Sequence, residues 1–313
     1  MSLITISTSQ LNTVTPLREE ELIDSFLSSQ DIKAVSKMLY KRTLKQFFNW
    51  IKLKGYLLSD IARPEILRYK EELLLRGVSS LTVASYITSL RLFYEWAEAM
   101  KLYPNVCKGI KSPKRKKEFK KRPLLPAQAT TLLDYYEHRS LRDFALINLL
   151  LRTGLRTIEV ERAKVEDITF IGSQRVLLIK GKGAEERDNF VVLTPKAHAP
   201  LEAYLKAREP LSPAEPLFTS TSNNSKGEAI TTRSIRAIAK EGLKAIGLNE
   251  KSFTTHSLRH TGATNILRAT GDLEQTRLFC RHTNPATTLI YVGTIEEERR
   301  IKNSGEAVLD TLF

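Results

Sequence analysis

Cysteine is scarce in this chain: two of 313 residues, Cys107 and Cys280. They lie too far apart in sequence for a local metal motif, and free thiols in a reducing cytosol are the default. Long apolar runs are missing as well. The longest, Phe144 to Leu151, is interrupted by Asn148 and falls far short of a bilayer span. The first ten residues, MSLITISTSQ, have neither the basic start nor the extended apolar core of an export signal. Acidic residues are the third shortage, with 35 Asp and Glu against 49 Lys and Arg, a net charge of +14. Together these exclude a membrane-spanning or exported class. They point to a protein of the cytoplasm whose leading partner is a polyanion.

The chain is long enough for two domains of ordinary size. In the first, apolar residues recur at helical spacing: a helix over Glu19 to Gln30, a second carrying Val35, Met38, Leu39, Phe47, Phe48 and Ile51 up to Gly55, and a third from Pro64 to Gly77. A fourth follows the Ser79/Ser80 cap and stops before Pro104, with Val83, Ile87, Leu90, Tyr94 and Ala97 on one face. Its other face carries Thr82, Ser85, Ser89 and Arg91, either short phosphate donors or an ordinary solvated surface. Between Lys108 and Arg122 stand nine basic residues and one acid, Glu118, with Pro113 and Pro123 near its ends. Such a run cannot bury itself. It reads as a linker that straps along a nucleic-acid backbone, with a solubilising or targeting segment as the alternative.

The second unit starts near Leu124. Helices are predicted at Pro126 to Glu137, at Leu141 to Thr153 and from Arg156. Strands are predicted at Asp167 to Phe170, Arg175 to Ile179 and Asn189 to Leu193, the last two joined by the glycine-bearing Lys180–Ala184 turn. From Pro195 the pattern is mainly helical. No internal repeat or low-complexity tract interrupts it.

Six residues of this second unit carry chemistry: Arg156, Lys182, His256, Arg259, His282 and Tyr291. Two arginines can neutralise a phosphodiester and its five-coordinate transition state, because the planar fork binds two oxygens and keeps its charge. Two histidines and a lysine can move protons, and a tyrosine can attack phosphorus. Such chemistry needs no metal and no nucleotide cofactor. The segment HSLRH (His256 to His260) also spaces two histidines as a zinc helix does. That pattern requires Glu after the first histidine, where Ser257 stands, and Arg259 would repel a cation. His260 reads as a packed, hydrogen-bonded residue.

These residues lie in GLRTIE (Gly154 to Glu159), HSLRH and RHTNPATTLIY (Arg281 to Tyr291). In that order and context the chain resembles the tyrosine recombinase, or phage integrase, family, and its Xer-like members in particular. The resemblance spans essentially the whole chain. It implies a mainly α, two-domain protein: an all-α, SAM-like core-binding domain over 17–110, a basic linker over 111–123, and an α+β catalytic domain over 124–313 with a small antiparallel sheet, the DNA breaking–rejoining fold. No separate arm-binding domain is expected, since about sixteen residues precede the first helix.

The same resemblance implies the roles. Arg156 and Arg259 clamp the scissile phosphate, with Glu159 as their acidic helper or else an ordinary surface pair. Lys182 is the hairpin lysine that protonates the departing 5′ oxygen, with Lys180 as its rival. His256 and His282 are the catalytic histidines, and Tyr291, nine residues after His282, is the nucleophile that forms a 3′-phosphotyrosine. Arg281 stands where the family usually has glycine, and it is a candidate phosphate contact. The partners implied are double-stranded DNA sites, gripped by a C-shaped clamp, and three further copies in a tetramer on paired sites. Mobile-element integration and excision, or resolution of chromosome dimers, would both use this step. The alternatives are a monomeric type IB topoisomerase and a DNA-binding protein with a decayed site. Val308, Leu309, Leu312 and Phe313 gather apolar side chains at the end of the chain. They either pack on their own domain or dock into a neighbouring protomer.

Overall fold

The structure, a computed structural model, describes residues 19–114, 121–181, 186–310 and 312. The chain divides into two compact units, Met1–Glu118 and Phe119–Phe313, each with its own apolar core.

The described residues of the first unit form four α-helices: α1 (Glu19–Ser29), α2 (Ala34–Lys54), α3 (Arg63–Leu75) and α4 (Ser80–Ala99). Helix ends follow local chemistry. Gly55 takes the left-handed conformation (φ 72°) that closes α2, Pro64 occupies the first turn of α3, and the Ser79 hydroxyl accepts from the Thr82 amide to start α4. An aromatic core of Phe26, Phe47, Phe48, Tyr69, Phe93 and Tyr94 fills the space between them, with mostly edge-on ring contacts and a tilted Phe47–Phe48 pair.

Two expectations fail here. Val35 and Met38 are exposed, and the buried stripe of α2 begins only at Thr43 and Leu44. Ser89 does not join a phosphate-facing surface. It is fully buried and pairs with the Thr43 hydroxyl at 2.7 Å, because α4 packs on α2 there and a buried hydroxyl needs a partner.

In the second unit, α5 (Pro126–Glu137) and α6 (Leu141–Thr153) lead to the short α7 (Thr157–Arg162). A three-stranded antiparallel sheet follows in the order β1 (Ile168–Ile171), β2 (Gln174–Ile179), β3 (Asn189–Val192). Its register places Leu177 opposite both Ile168 and Val191, so one face of the sheet joins the helical core. Then come α8 (Pro195–Lys206), α9 (Thr232–Ala245), α10 (Thr255–Thr270), α11 (Leu273–Cys280), α12 (Leu289–Lys302) and α13 (Gly305–Leu309). The mainly α architecture with one small antiparallel sheet is the one expected. Among the described residues no helix is long and apolar enough to cross a membrane.

Helix α6 is buried on most of its surface and packs against α5, α8 and α10. Its close approach to α10 depends on Gly262, where a Cβ would lie 3.0 Å from the Leu151 carbonyl and 2.7 Å from the Phe279 ring. This crossing brings the α6–α7 turn beside α10 and α11.

Candidate active site

Helix α6 ends at Gly154, which adopts φ 59° and donates its amide to the Leu150 carbonyl. The chain turns and Arg156 becomes the N-cap of α7. Glu159 secures that turn. Its carboxylate accepts from the Arg156 amide at 2.7 Å and from the Arg156 guanidinium at 2.8 Å. Burial pushes the Glu159 carboxyl pKa up. The Arg281 charge and the Arg156 hydrogen bonds outweigh that and hold it below the usual carboxylate range. Glu159 is buried, not a surface pair, while the Arg156 side chain remains about one-third exposed.

Helix α10 presents HSLRH. Ser257 is buried and accepts from the Thr254 amide, fixing the first turn. Two residues on, Arg259 is only 2 % exposed. Its guanidinium donates to the carbonyl of Gly154, at 2.5 Å, and to that of Cys280. A buried guanidinium held on two carbonyls is a fixed positive charge with its fork pre-oriented.

His256 lies at the exposed edge of α10. Crowding by its neighbours, and then the charges of Arg259 and Arg156, lower its pKa. His260 is buried between the His256 ring, 4.8 Å away, and the Tyr291 ring, 5.1 Å away. Burial, then the neighbouring charges, bring its pKa to about 3, so it is neutral throughout the physiological range.

Helix α11 starts on the Asp272 cap and ends at Arg281, whose φ of 51° turns the chain toward His282. Nδ1 of His282 meets the Thr288 hydroxyl at 3.0 Å. Its ring lies parallel to that of Tyr291 with centroids 6.2 Å apart. Burial first, and then Arg259 and Arg156, lower its pKa to about 4, so this imidazole is also neutral near pH 7.

Tyr291, in the first turn of α12, is 1 % exposed, and its phenol oxygen accepts from the Cys280 thiol at 3.6 Å. Burial and Cys280 raise the phenol pKa, against a lowering by Arg259, so the phenol is protonated in this arrangement.

The structure thus gathers Arg156, Arg259, His282 and Tyr291, with His256 at the margin, from three separate stretches of chain. Lys182 lies outside the described residues. The preceding Gly181 carbonyl accepts from Arg162, the last residue of α7, at 3.0 Å. Among the described residues no three His, Cys, Asp or Glu side chains gather into a set that could hold a metal ion.

One expectation is overturned. Arg281 is buried and directed into the protein, toward Glu159 and the Thr153 and Gly154 carbonyls, and not toward a phosphate. The roles of Cys280 and Thr288 were not visible in the sequence, because neither carries a motif and only the fold sets them against Tyr291 and His282.

Residues 122–298 match the phage integrase family. The tyrosine recombinase XerC of Leptospira interrogans is 30% identical over 288 residues, covering 82% of this chain and 90% of the relative. The tyrosine recombinase XerC of Staphylococcus aureus is 29% identical over 266 residues, covering 83% and 86%. Among solved structures, the XerH site-specific recombinase bound to palindromic difH, a post-cleavage complex, superposes with a TM-score of 0.73 at 21% identity, covering 93% of this chain and 85% of the other. The Tn1549 transposon integrase with circular intermediate DNA gives 0.69 at 18% identity, covering 87% and 94%.

Proposed function

The chain belongs to the phage integrase family and is a tyrosine recombinase; we propose that Tyr291 is its nucleophile and that Arg156 and Arg259 are the phosphate clamp. In this reading the scissile phosphate of duplex DNA docks on the two guanidiniums. Oη of Tyr291 attacks phosphorus, an Oη–P bond forms, and the P–O5′ bond breaks. His282 and His256, both unprotonated near pH 7, are the groups able to accept the phenol proton. Lys182 delivers a proton to the departing 5′ oxygen. A 5′ hydroxyl from another strand then reverses the step. The phosphoester energy is retained in the 3′-phosphotyrosine, so rejoining needs no ATP.

The observation that carries this reading is the convergence on Tyr291. Arg259 bonds the Gly154 and Cys280 carbonyls, and Cys280 in turn contacts the Tyr291 phenol, so residues far apart in sequence form one cluster. A buried, protonated phenol is a poor nucleophile. The α11–α12 segment must therefore open toward the DNA before attack, and the positive charge of the clamp favours ionisation once the phenol meets it.

The assembly we propose is a tetramer on paired sites, for integration and excision of a mobile element or for resolution of chromosome dimers. Support comes from the end of the chain, where Leu309 and Leu312 are 49% and 68% exposed instead of packed on their own unit. An apolar tail of this kind fits docking into a neighbouring protomer. The test is covalent capture on a library of nicked duplexes, followed by reaction of two captured sites together. Exchange of strands between them supports the recombinase reading. Relaxation of a separate, covalently closed supercoiled plasmid, with no exchange between captured sites, would favour a topoisomerase.

A further inference from the structure

Arg281 ends α11 in the left-handed region, where an L side chain is disfavoured and glycine is at ease. It is nonetheless arginine, and its side chain is 7% exposed. Four hydrogen bonds hold its guanidinium. Nη1 donates to the carbonyls of Phe279 and Thr153, at 3.0 and 3.3 Å, and Nη2 donates to the Gly154 carbonyl at 3.2 Å and to Glu159 Oε2 at 2.9 Å. Nε is buried without an acceptor among the described residues, so these four bonds set the position of the group.

Two of its four acceptors, Glu159 and the Gly154 carbonyl, also support one of the other two arginines. Glu159 is the carboxylate that holds Arg156 by its amide and its guanidinium. The Gly154 carbonyl is the one on which Arg259 rests, and the neighbouring Cys280 carbonyl takes the other arm of Arg259. Charge follows the same pattern. Glu159 is buried between Arg156 and Arg281 and pairs with both, Oε1 with the Arg156 guanidinium and Oε2 with that of Arg281, so one negative charge is shared between two cations. Without Arg281, the whole carboxylate charge would fall on Arg156 and compete with a phosphate for its partly exposed guanidinium.

We propose that Arg281 is a positioning residue for phosphodiester cleavage, acting through Glu159 on Arg156 and through the Gly154 carbonyl on Arg259. The inference rests on the reading of those two arginines as the phosphate clamp. Arg281 itself never touches the phosphate. It supplies the counter-charge and the tether that keep two phosphate-facing cations in register.

Single-turnover cleavage of a nicked duplex, with full-length protein in excess, tests this in wild type, R281G, E159Q and the double variant. Glycine suits the backbone at this position, so R281G isolates the loss of the guanidinium. The cleavage rate constant at saturating protein should fall roughly tenfold to a hundredfold, the scale of misplacing a positioned group by about 1 Å. The half-saturating protein concentration and the final adduct yield should stay within about twofold of wild type, which is ordinary scatter between independent sites. The double variant should be faster than the product of the two single losses predicts, because both act through one carboxylate. A wild-type rate constant in R281G, multiplicative losses in the double variant, or a loss of adduct yield at unchanged rate constant would each overturn the proposal. If wild type yields no adduct on Tyr291, the clamp reading itself fails and takes this inference with it.

Discussion

The ring of Phe279 occupies the space a side chain at Gly154 would need: a Cβ there would lie 2.6 Å from Cε1. Gly154 also has φ 59°, so both the backbone and the packing require glycine at the turn that aims Arg156. Gly154→Ala should destabilise the protein by about 1–3 kcal/mol through strain and overpacking. Its cleavage rate should fall further than stability alone explains, because the turn carries Arg156 and the carbonyl on which Arg259 rests. Chemical denaturation and single-turnover cleavage of the variant check this. An unchanged midpoint and rate would show that the turn tolerates a side chain.

Arg156→Ala and Arg259→Ala should each lose about 3–4 kcal/mol of transition-state stabilisation, the scale of one oxyanion donor. The Arg156 variant is the cleaner test, since its side chain is partly exposed, whereas Arg259 is buried on two carbonyls. Half-site binding by gel shift should persist in Arg156→Ala while covalent adduct becomes very slow. Near-normal cleavage in either variant contradicts the clamp.

Acid should weaken the protein in a window set by its buried histidines. His260 titrates at about 3 in the folded chain, against 6.5 when unperturbed. The unfolded state therefore binds the extra proton first. The stabilisation is complete above about pH 6.5 and declines as pH falls toward 3, with roughly 2 kcal/mol lost to this one group by pH 5. His282, at about 4, acts in the same direction. Thermal unfolding between pH 7 and pH 5 should drop more steeply in wild type than in His260→Gln. Parallel slopes would show that His260 is not held neutral by the fold.

Deleting Gly305–Phe313 should leave single half-site binding nearly intact and reduce paired-site assembly and strand exchange. The described apolar side chains of this tail are exposed, so their loss should not shift the unfolding midpoint appreciably. Analytical ultracentrifugation on paired-site DNA reads the assembly. A truncated protein that assembles and exchanges strands at the wild-type rate rules out a role for the tail between protomers.

Much of this architecture was legible in the chain. Helix limits followed Gly55, Ser79, Pro126 and Gly154, whose backbone preferences act locally. The three strands fell within a residue of their observed bounds because β-branched and aromatic residues cluster there. The candidate site came from motif context, since Arg156, Arg259, His282 and Tyr291 mean little singly, and the structure places these four near one another. What stayed hidden depended on tertiary partners. Ser89 looks like a surface hydroxyl until α2 supplies Thr43. Arg281 looks like a phosphate ligand until the α6–α7 turn supplies Glu159 and two carbonyls. Val35 and Met38 fit a helical repeat, but no helix among the described residues covers that turn.

The central claim is that Tyr291 attacks the scissile phosphate, and its most direct test is covalent adduct formation by wild type and Tyr291→Phe on the same nicked duplex. The substitution removes one oxygen and keeps the ring that packs against His260 and His282. Wild type should yield a protein–DNA adduct whose DNA-bearing peptide contains Tyr291, while Tyr291→Phe folds, binds DNA and yields none. A covalent phosphotyrosine formed by the phenylalanine variant, or a wild-type adduct on another residue, would contradict it.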